Sequence, residues 1–165
     1  MRDRGGPTLP PFALDALRAR LLDDVRRAPL RYAPFYDRLK DLFDLDEPAL
    51  LAVLERSLEP SAWEPYMPGA HAFHLQAGPL VAGADAGLVR MKAGLVFPSH
   101  VHLGDETALV LEGSYRESTG RVYQAGDVHA MAAGSRHAYD VLPGSPLVFA
   151  VVLHGGIELD QQLDR

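Results

Sequence analysis

In GLVFPSHVHLGDETALVLEG, residues 94–113, His100 and His102 stand two positions apart and Glu106 follows four positions later. Residues i and i+2 of a strand point to the same face, so both imidazoles project together from one strand end. Gly104 and Asp105 suit a turn, and Glu106 then opens the next strand facing the same space. Two imidazoles and a carboxylate converging in this way make a metal site of N/O type. Taken alone, the segment fits equally well a strand that carries incidental polar residues.

A second segment, GDVHAMAAGSRH (residues 126–137), sets a short strand between two glycine turns and then places His137 at the start of another strand. That strand can return to the same barrel mouth and bring a further ligand from a separate hairpin. With both segments in view the chain resembles the cupins. The first matches the cupin pattern G-x5-HxH-x3-E-x6-G at Gly94, His100, His102, Glu106 and Gly113. The second resembles G-x5-PxG-x2-H-x3-N through Gly126, Gly134 and His137, with Ala132 in place of the proline and Val141 in place of the asparagine. The resemblance implies an all-β fold, the cupin double-stranded β-helix or jelly-roll barrel, in which His100, His102, Glu106 and His137 bind one divalent transition metal. Neutral imidazoles and a carboxylate suit zinc, the first expectation, and also Mn, Fe, Ni or Co. Four protein ligands saturate a tetrahedral zinc, whereas a six-coordinate metal keeps two positions open for substrate.

Strands of the right kind surround these segments. After Trp63, short runs rich in Val, Leu, Phe and Tyr alternate with Gly, Pro and Asp. Strands are expected over 72–76, 87–92, 95–102, 107–111, 115–118, 122–124, 128–131, 138–142 and 147–154, at the spacing of an antiparallel barrel. Ahead of them the apolar period is helical. Leu14, Leu17, Leu21, Leu22 and Val25 form one stripe, and Phe35, Leu39 and Phe43 form another within a helix over 32–43. Asp46 suits the N-cap of a third helix from Glu47 to about Leu58, with Pro48 in its first turn. The expected division is a flexible arm over 1–10, a helical segment over 11–62 and the barrel over 63–165.

Composition limits what such a barrel can do. A net charge of −6 over 165 residues argues against an electrostatic grip on nucleic acid or an anionic membrane. No apolar run reaches the roughly 20 residues of a membrane span, and the first residues lack a secretory core, so a cytoplasmic location is expected. Without cysteine there is no disulfide, no thiolate chemistry and no Cys-based zinc site.

A closer resemblance lies in PFALDALRARLLDDVRRAP from Pro11, in YAPFYDRLKDLFDL from Tyr32, in SAWEP from Ser61 and in FAVVLHGGI from Phe149. These look like the linker, barrel entrance and barrel tail of the ChrR-type anti-sigma factors, whose zinc-binding helical module captures a sigma factor. No Cys occurs, and no His precedes His71, so the ligands of that module are missing here and sigma-factor binding is not expected. The leading expectation is a ChrR-like metal-binding cupin serving as a sensory or ligand-binding regulatory module in a stress response. It would form a homodimer and take a small-molecule ligand. The alternative is a metal-dependent dioxygenase or isomerase acting on a small oxygen-rich metabolite.

Further residues are read with both functional and structural roles. Tyr139, two positions after His137, shares its face and is a pocket candidate. His129 and Met131, between the glycines of the second segment, are also pocket candidates, although a partly exposed strand position is the simpler expectation for His129. His154, ahead of Gly155 and Gly156, would reach the pocket from the opposite wall. Arg90 is a candidate for an anionic ligand or a surface ion pair, and His71 with His74 is read as structural.

Overall fold

The computed structural model describes residues 28–160. The expected arm and the helix built on Leu14, Leu17, Leu21, Leu22 and Val25 lie outside the described residues. The described chain opens with α1 (Ala28–Arg31), a 3-10 turn over Ala33–Phe35, α2 (Tyr36–Phe43) and α3 (Glu47–Arg56). Asp46 caps α3 as its sequence position suggests: its Oδ1 accepts the Ala49 N–H at 2.9 Å. Among the described residues no helix is long and apolar enough to cross a membrane.

Eleven strands follow: β1 (Glu64–Met67), β2 (Ala70–Leu75), β3 (Asp85–Met91), β4 (Val96–His102), β5 (Glu106–Glu112), β6 (Ser114–Glu117), β7 (Val122–Gln124), β8 (Val128–Met131), β9 (Arg136–Val141), β10 (Leu147–Leu153) and β11 (Ile157–Leu159). They form a six-stranded sheet in the order β1-β2-β3-β10-β5-β8 and a five-stranded sheet in the order β11-β4-β9-β6-β7. Every strand pairing is antiparallel, and the two sheets make a jelly roll. Two strands had no counterpart in the sequence reading. β1 begins inside SAWEP and contains a proline, and β11 is three residues long, so neither has enough alternation to announce itself.

Two apolar cores lie on opposite faces of the six-stranded sheet. The outer core joins Tyr32, Leu39, Phe43, Leu50 and Leu54 of the helical segment to Phe73, Leu88, Leu109 and Val152 of the sheet. The inner core fills the barrel with Met91, Phe97, Val110, Tyr115, Tyr123, Tyr139 and Phe149. The helices therefore share a core with the sheet.

Irregular pairing decides which face several key residues occupy. In β5, Phe149 pairs with Val110 but Val148 with Glu112, so one extra residue bulges between them. Val110 faces the interior, and Glu112 turns outward to accept the Tyr32 hydroxyl at 2.6 Å and to pair with Arg31.

Candidate metal centre

The three histidines reach one point because of a second irregularity, in β4. Phe97 pairs with Tyr139 and His100 with His137, three residues apart on β4 but two on β9. Strict alternation from Phe97 would send His100 outward. The bulge at Pro98–Ser99 turns His100 and His102 inward alongside Phe97, and all three are buried. Proline suits that bulge because it has no N–H to contribute to the ladder. Its carbonyl accepts from His100 Nδ1 at 2.9 Å, which leaves Nε2 as the free nitrogen of that ring.

His137 comes from β9, and the turn before it is tied to the histidine strand. Gly134 N–H donates to the His102 carbonyl at 2.8 Å, and His102 N–H to the Ser135 carbonyl at 3.0 Å. Gly134 has a φ of 80°, which a side chain would strain, so the turn keeps its glycine while tolerating Ala132 at the proline position. Val141, at the asparagine position, is packed into the inner core.

One nitrogen from each of His100, His102 and His137 lies within 4.8 Å of the others, and all three rings are buried. His102 Nε2 and His137 Nε2 are 3.1 Å apart. The Nδ1 atoms face outward from this cluster. His102 Nδ1 is 3.4 Å from a Glu106 carboxylate oxygen, and His137 Nδ1 is 3.9 Å from the Glu117 carboxylate. Neither Nδ1 has a hydrogen-bond partner among the described residues. Nε2 atoms turned toward one another, with Nδ1 atoms directed at protein acceptors, are the arrangement of histidines that hold a metal.

Electrostatics favour the ligating form of each ring. Burial holds His100 below the usual imidazole range, against the hydrogen bond to Pro98. Burial, then the neighbouring His100 and His129, takes His102 down to about 4. Burial with His100, His102 and His129 takes His137 to about 3. All three are therefore neutral at pH 7, as ligation requires. Burial pushes the Glu106 carboxyl up to about 7. Glu106 stands beside the triad rather than within the 4.8 Å group.

A cavity of about 110 Å³ adjoins the cluster, with His100 and Glu106 on its wall. Most of the remaining wall is apolar, including Val89, Phe97, Phe149, Val151, Leu153 and Ile157. Tyr139 also lines it, stacked on Phe97 at 4.9 Å, with its hydroxyl 3.5 Å from Met91 Sδ. Tyr66 of β1 lines it too, its ring stacked with that of Phe97 at 6.1 Å.

Of the remaining candidates, His129 sits beside the triad, its ring 5.3 Å from that of His137. His129 is buried, contrary to the partly exposed position expected for it. Its ring stacks on Tyr123 at 4.1 Å and its Nδ1 lies 2.7 Å from the Tyr115 hydroxyl, while neither His129 nor Met131 lines the cavity. The alternating strand reading could not see that β7 folds Tyr123 across it. His154 is exposed, its N–H donating to the Asp105 carbonyl at 2.9 Å. Arg90 lies on the helix side with its guanidinium 4.5 Å from the Trp63 ring centre. His74 pairs with Asp85 at 2.8 Å on the cavity wall. Sequence reasoning passed over Glu117, which is buried beside His137. Its signal was present, since Glu117 follows Tyr115 by two positions and so shares its inward face.

A jelly roll with a histidine triad on its inner face, built from these two motifs, defines a cupin. The chain belongs to the ChrR cupin-like domain family, which matches residues 56–155. No curated protein matches it. Among solved structures it is similar to an RmlC-like cupin from Ralstonia eutropha, with 23% identity and a TM-score of 0.54 over 62% of this chain and 69% of that one. It is also similar to an acetylacetone dioxygenase from Acinetobacter johnsonii, with 17% identity and a TM-score of 0.53 over 63% and 75% of the two chains. A chain of the Rhodobacter sphaeroides SigE complex with the anti-sigma ChrR is 24% identical, with a TM-score of 0.53 over 92% of this chain and 70% of that one. At these identities the likeness is one of fold.

Proposed function

We propose that the protein is a metal-binding cupin that captures a small molecule beside the metal and serves as a sensory module in a stress response. The convergence of His100, His102 and His137 at one end of an apolar cavity carries this reading. Zinc is the metal proposed, with Glu106 rotating from beside His102 to complete the ligand set. The walls suit a ligand with an apolar body and one oxygen-donor head directed at His100 and Glu106. The regulatory part of the reading rests on family membership and on the fold shared with the chain from the SigE–ChrR complex. The protein is proposed to act in the cytoplasm without sigma-factor capture. A homodimer, using exposed edge strands such as β1, would sediment at twice the 18.0 kDa chain mass.

Metal analysis followed by NMR titration of the zinc-loaded protein tests the proposal. Stoichiometric zinc is expected, with isobutyrate shifting resonances of Val151 and Ile157 and xylose leaving them unmoved. Saturation by xylose and not by isobutyrate would overturn the ligand class.

The dioxygenase reading is supported by one observation: a molecule in the cavity would lie directly against two of the proposed ligands. It predicts iron in place of zinc, and oxygen uptake with an apolar substrate. The apolar walls offer few partners for a sugar-like, oxygen-rich metabolite, so that form of the enzyme reading is the less supported.

A further inference from the structure

Glu117 is a buried carboxylate that the cupin motifs do not account for. It ends β6, pairs across the sheet with Tyr139 and turns inward, where 8% of it is exposed. Burying a carboxylate is costly unless its oxygens are partnered. Thr119 meets part of this need, donating its backbone N–H at 3.3 Å and its hydroxyl to Oε2. Ser118 Oγ lies 3.4 Å from Oε1. The turn after β6 therefore grips the carboxylate from behind. The front oxygen, Oε1, faces His137 Nδ1 at 3.9 Å. That Nδ1 is buried and has no hydrogen-bond partner among the described residues, while the other nitrogen of the ring faces His102 at 3.1 Å. His100 already has the corresponding contact, from its Nδ1 to the Pro98 carbonyl.

We propose that Glu117 is the positioning residue of His137, accepting its Nδ1–H and so committing Nε2 to the metal. The separation is about 1 Å longer than a hydrogen bond, a gap that a small rotation of the ring closes. The carboxylate then fixes the tautomer and raises the basicity of the ligating nitrogen. This inference rests on the metal-centre reading, which it extends from the ligands to the group that orients one of them.

The test compares wild type with Glu117→Gln and Glu117→Ala, using zinc alone as the probe in competition with a chromophoric chelator. Glu117→Gln keeps the shape and a neutral acceptor, and is expected to weaken zinc about 10-fold; Glu117→Ala is expected to weaken it up to about 100-fold. Urea unfolding of the metal-free proteins separates this from a general loss of fold, and the Gln variant should keep the wild-type midpoint. Long-range 1H–15N spectra of the zinc-loaded wild type should show His137 ligated through Nε2 with a hydrogen-bonded Nδ1–H, a proton signal that moves upfield in Glu117→Gln. The proposal is overturned if His137 binds through Nδ1, or if Glu117→Gln binds zinc as wild type does. If wild type binds neither zinc nor cobalt, the metal-centre reading itself fails. If metal binds with unchanged affinity in the variants, only the role of Glu117 fails.

Discussion

Along β10, Val148, Ala150 and Val152 face the helices while Leu147 and Phe149 face the barrel interior, with Val151 on the cavity wall. The same alternating strand thus serves two unlike regions. On the helix side, Leu39, Phe43, Leu50 and Leu54 are fully buried against the sheet, and the polar groups at its border, Tyr32 and Glu112, satisfy each other. On the barrel side, apolar packing gives way at one end to three buried imidazoles, two of which keep a nitrogen without a partner among the described residues. An unpartnered buried polar atom weakens a fold. Its presence on one face alone marks that face as the site of function, while the other supplies stability.

The largest effect should come from the site. His100→Ala with His102→Ala is expected to abolish metal binding, read by metal analysis of the purified protein, while the metal-free form still unfolds cooperatively in urea at a lowered midpoint, since two buried rings leave a cavity. A double variant that retains wild-type metal would end the metal-centre reading. On the opposite face, Phe43→Ala should cost about 3–5 kcal/mol in urea unfolding, because a fully buried aromatic leaves a cavity. Metal per folded chain should stay unchanged. If the folded variant loses metal, the two faces are coupled and the contrast drawn between them breaks.

Acidity sharpens the contrast further. Burial raises Glu106 to about 7, so if Glu106 joins the proposed zinc site its proton must be displaced below neutral pH. Zinc affinity should fall about 10-fold per pH unit below 7, and Glu106→Gln should remove that one-proton dependence. In the metal-free protein the two kinds of group act with opposite sign. His102 and His137, held down to about 4 and about 3, oppose protonation, so stability that is full above pH 6.5 declines as the pH falls toward those values. Glu106 stabilises the fold below its ordinary value of 4.5, and that contribution is lost as the pH rises through about 7. Urea midpoints measured against pH should show a weaker acid decline in the His100→Ala, His102→Ala variant. The smallest effect belongs to the helix side: Asp46→Ala should cost about 1 kcal/mol through the lost cap, with no change in metal content.

Much of this was legible in the chain because it rests on local rules. The spacing of His100 and His102 and the stripe of Leu39 and Phe43 follow from periods of 2 and 3.6 residues, and the glycine-framed turns from the positive φ that glycine adopts without strain. Glu117 obeyed the same period of 2 but lay outside both motifs. The burial of His129 was not legible, since it depends on Tyr123 arriving from another strand to stack on it. The short strands β1 and β11 were equally hidden, being held by partners more than by their own pattern.

The sequence by itself determined the residue types of the site, the all-β class of the barrel and the helical period ahead of it, because these are properties of composition and spacing. Tertiary structure decided where the side chains point. Strict alternation would have turned His100 away from Phe97 and placed Glu112 on the face of Val110. Bulges in β4 and β5 reverse both, because one unpaired residue exchanges the two faces of every position beyond it. That exchange brings His100 and His102 to His137, and it comes from pairing between strands far apart in the chain.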